Sequence, residues 1–288
     1  MKVLVIGGTG TVGKQVVRDL QAAGVEVALV TRDEAKAQSI HPNVHVHKGS
    51  TLDQAFVRSV FKGYDTVFML NPSSQTETHE GLMAVNGARL CGVRRFVYMS
   101  VQEADSAQYL PHFGAKVPIE NVVKTSGMEW TILRPNNFHQ NEQWFKSAIL
   151  DYGVYPQPLG DVGLHRVDVR DISAVAVIAL TTGRLNGQML NLVGPEVWTG
   201  PATAELWTRL LGKPIRYIGH DMDAWEVMFR QWVPDWLVFD WRMMYEYFQE
   251  HGLKGTPQDI ERLTKILGRP LIRFEDYAKE TAKAWTSQ

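Results

Sequence analysis

Three glycines spaced three apart, Gly7, Gly10 and Gly13, follow directly on the apolar run Val3-Leu4-Val5-Ile6 and lead into a helical stretch. Glycines at that spacing let backbone N–H groups come close to a pyrophosphate. A helix that starts there aims its positive end at the same charge. The run can also be read as Gly8-x-Gly10-x-x-Gly13, the dehydrogenase spacing. Because Gly7 follows the strand at once, the turn is expected to open there, and the wider spacing is preferred. Either register makes the loop a dinucleotide cradle.

A second piece of chemistry lies at the end of the next apolar run, over 26–30, where a carboxylate would bind a ribose 2′-hydroxyl. The run ends instead in Thr31-Arg32. A planar, permanently charged guanidinium suits a 2′-phosphate, so NADP(H) is favoured over NAD(H). The competing reading is a solvated arginine ahead of a helix capped by Asp33. Other clusters promise less. His45 and His47 share one side of a strand, with His41 nearby. An H-x-H pair lacking cysteine or a clear third ligand is read as core or solvated, and no metal is expected. No G-x-S-x-G elbow occurs, which argues against a hydrolase.

These residues need a scaffold, and the pattern of the chain describes one. Up to about residue 150, short apolar runs at 2–6, 26–30, 44–48, 66–70, 95–99 and 130–133 alternate with helical stretches at 13–23, 52–61, 76–91 and 114–126. Such alternation predicts an α/β fold, a Rossmann-type doubly wound parallel sheet covered on both faces. Beyond Pro135 the regularity fades. Residues 166–170 read as a short strand, Asp171 as the cap of a helix over 172–182, 189–193 as a strand, 203–211 as a helix and 214–218 as a strand. From Asp221 onward the sequence is mostly helical. The expected organisation is a dinucleotide-binding domain over 1–150 with returning segments from about 165–195. A smaller, mostly helical substrate-side domain over 196–288 is interleaved with it and packed over the cofactor face.

Composition narrows the partners. The 288 residues carry a net charge of −1, so no field draws the chain to nucleic acid or acidic membranes. The apolar runs are strand-length, too short to span a bilayer. Cys91 is the only cysteine, and four apolar residues after Met1-Lys2 are too few for a secretory leader. The expectation is a cytoplasmic protein. Between Trp225 and Phe248 aromatic and methionine side chains are dense. Core packing is the first reading. An apolar pocket for a flat substrate, or a surface that docks a protein partner, are the alternatives.

Taken together the chain resembles the NmrA-like group of atypical short-chain dehydrogenase/reductases, which holds NADP-dependent quinone and dye reductases and NADP-sensing regulators. The resemblance is carried by the glycine loop, Thr31-Arg32, the run from Gly63 to Phe68, and the run from Gly92 to Ser100. Further marks are His112-Phe113-Gly114-Ala115-Lys116 with Glu120, the run from Trp130 to Phe138, and the run from Val167 to Ile172. It implies that Gly7, Gly10 and Gly13 shape the pyrophosphate loop while Thr9, Thr11 and Val12 contact the phosphates. Arg32 would hold the 2′-phosphate. Asn71, Pro72 and Ser100 would run along the cofactor's ribose, and Pro135 and Asn136 would approach the nicotinamide.

Two departures from the group stand out. A Gly-Asp pair is common after the third strand, and here it is Gly49-Ser50. The Tyr-x-x-x-Lys pair of the reductases is replaced by His112-x-x-x-Lys116. Lys116 remains the leading catalytic candidate, since it can bond the nicotinamide ribose and place charge near the reacting carbon. His112 is a candidate acid, and Tyr109 a second. The resemblance implies NADPH-dependent reduction of a quinone-like, aromatic or conjugated carbonyl acceptor, a small molecule that takes hydride. The alternative is a non-catalytic NADP(H) sensor that binds a protein partner. A nucleotide-sugar epimerase or dehydratase is disfavoured by the absent tyrosine, and homo-oligomers are left open.

Overall fold

A computed structural model of the chain describes residues 1–287. It divides into two compact units. The first joins Met1–Pro135 to Val169–Asn191, and the second joins Asn136–Asp168 to the residues from Leu192 onward.

In the first unit, strands β1 (Lys2–Ile6), β2 (Glu26–Thr31), β3 (His45–Lys48), β4 (Thr66–Met69), β5 (Arg95–Met99) and β6 (Glu129–Pro135) lie in the order β3-β2-β1-β4-β5-β6. The strand Gln188–Leu192 follows beyond β6. All the pairings from β1 to β6 are parallel. β4 and β5 are buried along their whole length and β1 on all but its first residue, as a sheet covered on both faces requires. Their apolar side chains, among them Leu4, Val67, Phe96 and Ile132, join one core. The direction of progression reverses between β1 and β4. Ile6 lies beside Val30 on one flank and Met69 on the other. The loops leaving β1, β2 and β4 therefore gather at one edge of the sheet, at the switch point where such folds bind ligands.

The helices α1 (Thr11–Ala22), α2 (Glu34–Ile40), α3 (Gln54–Val60), α4 (Glu77–Leu90), α5 (Pro111–Gly114) and α6 (Lys116–Thr125) cover the sheet. Asp33 and Asp53 cap α2 and α3 by accepting from Lys36 N at 2.9 Å and Phe56 N at 3.0 Å. Ordinary N-cap chemistry thus satisfies these helix ends. α1 starts differently: its N-cap is Gly10, with no side chain to bond the first amides. The returning helix Val169–Thr181 packs on α1, with Ser173 Oγ donating to Asp19 Oδ2 at 2.6 Å.

Four sequence expectations differ in the structure. Residues 166–170 form no strand. Only an isolated bridge joins Phe138 to Val167, and the helix begins at Val169, so Asp171 sits inside its first turn instead of capping it. The alternating pattern misled because it implies two unlike faces, whereas polar and apolar members are buried alike: Arg166 and Asp168 have no exposed surface and Val167 and Val169 next to none. The helix expected over 114–126 is two, α5 and α6, meeting at Ala115. The strand expected over 214–218 shrinks to Arg216–Tyr217, in parallel with Val154–Tyr155.

The second unit is mostly helical, with longer helices at Gly200–Leu211, Asp235–His251, Pro257–Leu267 and Phe274–Thr286. Trp207 stacks on Trp285 at 4.7 Å in its interior. At its centre Glu142 accepts from Arg166 Nη2 at 2.7 Å, Trp207 Nε1 at 2.7 Å and Tyr155 Oη at 2.8 Å. In the aromatic stretch Trp225, Tyr245 and Phe248 are buried, whereas Trp232 and Phe239 are exposed. Among the described residues no helix is long and apolar enough to cross a membrane.

Candidate coenzyme site

The glycine loop is built so that three different constraints fall on three glycines. Gly7 has φ +86°, and a Cβ there would sit 2.4 Å from Leu70 O. Only glycine takes that backbone without strain. A Cβ on Gly13 would lie 2.1 Å from Gly7 O, so α1 can press against the turn only with hydrogen at that position. At Gly10 the nearest atom to a Cβ would be 3.5 Å away. Its value is the bare helix start, since Gly10 N turns back to Gly7 O at 3.1 Å and no side chain shields the following amides. By contrast, a Cβ on Gly8 would press first on Leu29 Cδ2, a flexible side-chain tip. The wider register therefore describes the turn.

Around the loop, Thr9 is half-buried and Thr11 exposed, while Val12 is buried. Val12 can thus offer a ligand its amide but not its side chain. His41 supports the loop from below, with Nε2 at 3.2 Å from Gly8 O. A carbonyl only accepts, so the ring donates. Burial, reinforced by Arg18 and Lys14, lowers this histidine's pKa, which favours the neutral, singly donating ring.

A groove of about 160 Å³ runs along this edge, lined by Gly7, Thr9, Thr31, Arg32, Ser50, Pro72 and Glu80 among others. Beside it a second hollow is lined by Arg32, Asp33, Glu34, Ala35, Gln38 and Lys48. Lys48 stands in register with Thr31, so two cations flank one strand end. Neither Arg32 nor Lys48 is paired with a carboxylate among the described residues. Lys48 was not a sequence candidate, and the signal that finds it is the pairing of β2 with β3. Ser50 Oγ is taken by Leu52 N at 3.2 Å, so this residue stabilises its own turn.

Farther along the edge, Asn71 follows β4 and Ser100 follows β5. Asn71 Oδ1 and Ser100 Oγ are buried without a hydrogen-bond partner among the described residues. Buried polar atoms are seldom left so, and two of them on the ligand side of the sheet suit a ligand rich in hydroxyls. Lys116 is no surface lysine. It is 6 % exposed and its Nζ donates to Glu77 Oε1. Thr76, ahead of Glu77, donates to Glu80 at 2.9 Å. Glu77 was not a sequence candidate; it lies 39 positions from Lys116. His112 is half-buried on α5, its ring edge-on to Phe113 at 4.8 Å, and Tyr109 is exposed.

Pro135 ends β6, and its carbonyl accepts from Gln102 N at 3.1 Å. Asn136 belongs to the second unit, where Nδ2 bonds Leu253 O at 2.8 Å and Oδ1 accepts from Asn137 N at 2.7 Å. Both ends of that amide are therefore committed locally. His47 bonds the Tyr64 hydroxyl at 2.6 Å and His45 lies edge-on to it.

The residues fit an NADP coenzyme. Gly7 and Gly13 leave a cradle that any Cβ would fill, α1 presents uncapped amides, and the unpaired Arg32 stands at the β2 end. The sequence matches the NmrA-like family over residues 1–278. The chain belongs to that family. This NmrA-like chain is 30 % identical to an NAD(P)H azoreductase of Xenophilus azovorans, over 98 % of its own length and 99 % of the relative's. Its fold is shared with the NADPH-dependent quinone oxidoreductase of Escherichia coli complexed with NADPH, at TM-score 0.86 and 22 % identity over 99 % of both chains. It is shared as well with the Citrobacter sp. triphenylmethane reductase complexed with NADP(H), at TM-score 0.84 and 20 % identity over 97 % of this chain and 99 % of that one.

Proposed function

We propose that this NmrA-like protein is an NADPH-dependent oxidoreductase that reduces a quinone-like, aromatic or conjugated carbonyl small molecule by hydride transfer. The observation that carries the reading is the glycine cradle with an unpaired arginine at the adjacent strand end. When bound, NADPH supplies the hydride. The chain's part is to hold and polarise. Amides at the start of α1, with Thr9 and Thr11, bind the pyrophosphate. Arg32, joined by Lys48, binds the 2′-phosphate. Asn71 and Ser100 offer their unpartnered oxygens to ribose hydroxyls, with Pro72 shaping the path. Lys116 donates to the nicotinamide ribose, Pro135 lies near the nicotinamide, and His112 is the proton source where the acceptor needs one. Quinones and extended conjugated acceptors take hydride with little acid help, which accommodates the absence of tyrosine at position 112.

The direct test is NADPH oxidation by the purified protein with a panel of quinones, azo dyes and conjugated carbonyls. Turnover with at least one class is expected. Tight NADPH binding with every acceptor inert would defeat the reductase reading and favour cofactor sensing. Coenzyme choice tests the strand-end cations separately. Arg32→Ala should weaken NADPH binding about 10- to 100-fold, as loss of a charge-assisted contact does, and leave NADH binding nearly unchanged. Lys48→Ala should act in the same direction with a smaller effect. An equal loss for both coenzymes on titration would remove the 2′-phosphate assignment.

A further inference from the structure

Lys116 and Glu77 form an ion pair taken out of water. Glu77 is 1 % exposed and opens α4, where the positive helix end favours a carboxylate. The next residue, Thr78, donates its hydroxyl to Ala115 O at 2.8 Å. Ala115 immediately precedes Lys116, so α4 is fastened to the head of α6 beside the pair. Other ionisable groups surround it. Tyr98 comes from β5, and its buried hydroxyl has no hydrogen-bond partner among the described residues. Burial, with Glu77 and Glu120 nearby, holds that hydroxyl well above its usual pKa, so it adds no negative charge. Glu120 on α6 is engaged by Arg134 of β6 at 2.7 and 2.8 Å and by Lys124 at 3.6 Å. Glu80 lies farther along α4, where it accepts from Thr76 at 2.9 Å, and His112 lies on α5, the helix before α6.

A buried ammonium without a counter-charge tends to lose its proton, and a neutral amine is a poorer donor. With one of its three N–H groups spent on Glu77, a charged Lys116 keeps two for a ligand. We infer that Glu77 is a positioning residue for the coenzyme: its carboxylate fixes Lys116 Nζ and supplies the counter-charge for this buried side chain, so that the lysine's remaining N–H groups donate to the nicotinamide ribose. This rests on the reading above that the site takes NADPH with Lys116 at that ribose.

The test is NADPH affinity of the full-length protein, by fluorescence titration from pH 6 to pH 9, with each variant divided by wild type so that titration of the coenzyme cancels. For Glu77→Gln the ratio should fall about tenfold or more as pH rises, because the buried amine has then lost its counter-charge. Glu77→Asp should restore a flat ratio. Lys116→Met should bind weakly at every pH, without a slope. A Glu77→Gln ratio that is flat, or a slope that survives in the Glu77→Gln, Lys116→Met double variant, overturns the inference. Should Glu77→Gln fail to fold, Glu77→Gln with Lys116→Arg replaces it, because a guanidinium stays charged without help. A flat ratio there supports the role, and a sloping one overturns it. Wild-type protein that binds no NADPH would defeat the coenzyme reading itself, whereas wild-type binding with a flat Glu77→Gln ratio defeats only the role of Glu77.

Discussion

Valine at position 13 should remove coenzyme binding while leaving a protein that still unfolds cooperatively. A Cβ there would lie 2.1 Å from Gly7 O and 2.8 Å from Gly8 Cα. Both are backbone atoms of the loop that must receive the pyrophosphate, so α1 has to move away from it. Overpacking of that kind costs on the order of 1–3 kcal/mol, and here the whole displacement falls on the ligand site. Calorimetry should show NADPH affinity reduced about 100-fold or more. Gly8→Ala is the internal control. Its new methyl presses first on Leu29 Cδ2, and a side-chain tip can turn aside, so affinity should stay within a few-fold of wild type by the same titration. Equal losses for the two variants would show that the loop responds to any added bulk, contrary to the register assigned to it.

The largest effect on stability should come from Glu142→Ala in the second unit. Glu142 and Arg166 have no exposed surface, and the carboxylate gathers donors from Arg166, Trp207 and Tyr155. Without it Arg166 keeps hydrogen bonds to Asn137 Oδ1 and Phe138 O, both at 3.1 Å, and its place over the Phe274 ring. None of these neutralises a buried positive charge. Removing one partner of a buried pair costs about 3–5 kcal/mol, and urea denaturation should show a loss of that size. Glu142→Gln combined with Arg166→Met should recover much of it, because no charge is then left unpaired. A loss under about 1 kcal/mol would mean that water reaches the cluster after the substitution.

Much of the coenzyme unit was legible in the sequence because its information is local. Continuous apolar runs marked strands buried on both faces, and Gly7, Gly10 and Gly13 declared a turn that at Gly7 and Gly13 admits no other residue. Arg32 was visible because strand ends in such folds are fixed positions. Lys48 was not, since only the pairing of β2 with β3 brings it level with Thr31. Glu77 escaped for a similar reason: it meets Lys116 across the packing of α4 on α6. The run from Arg166 to Arg170 was misread because alternation shows that residues differ from their neighbours, not which of them face inward. Here charged and apolar members are buried together, and the pattern imitates a half-exposed strand. His41 illustrates the converse. It was read only as a core or solvated histidine near His45 and His47, and the structure sets it against the Gly8 carbonyl of the glycine loop.

The contact between Ser173 and Asp19 spans 154 positions, and it has a consequence for biosynthesis. The helix over Val169–Thr181 that covers α1, and the strand Gln188–Leu192 that lies beyond β6, leave the ribosome long after the glycine loop has emerged. Chains are made N-terminus first, and domains fold as units. A nascent polypeptide of this protein therefore carries an unfinished nucleotide-binding half, with one flank of α1 bare, until the segment ending near residue 191 clears the exit tunnel. Loading with coenzyme therefore has to wait for that returning segment, well after the glycine loop itself has been made.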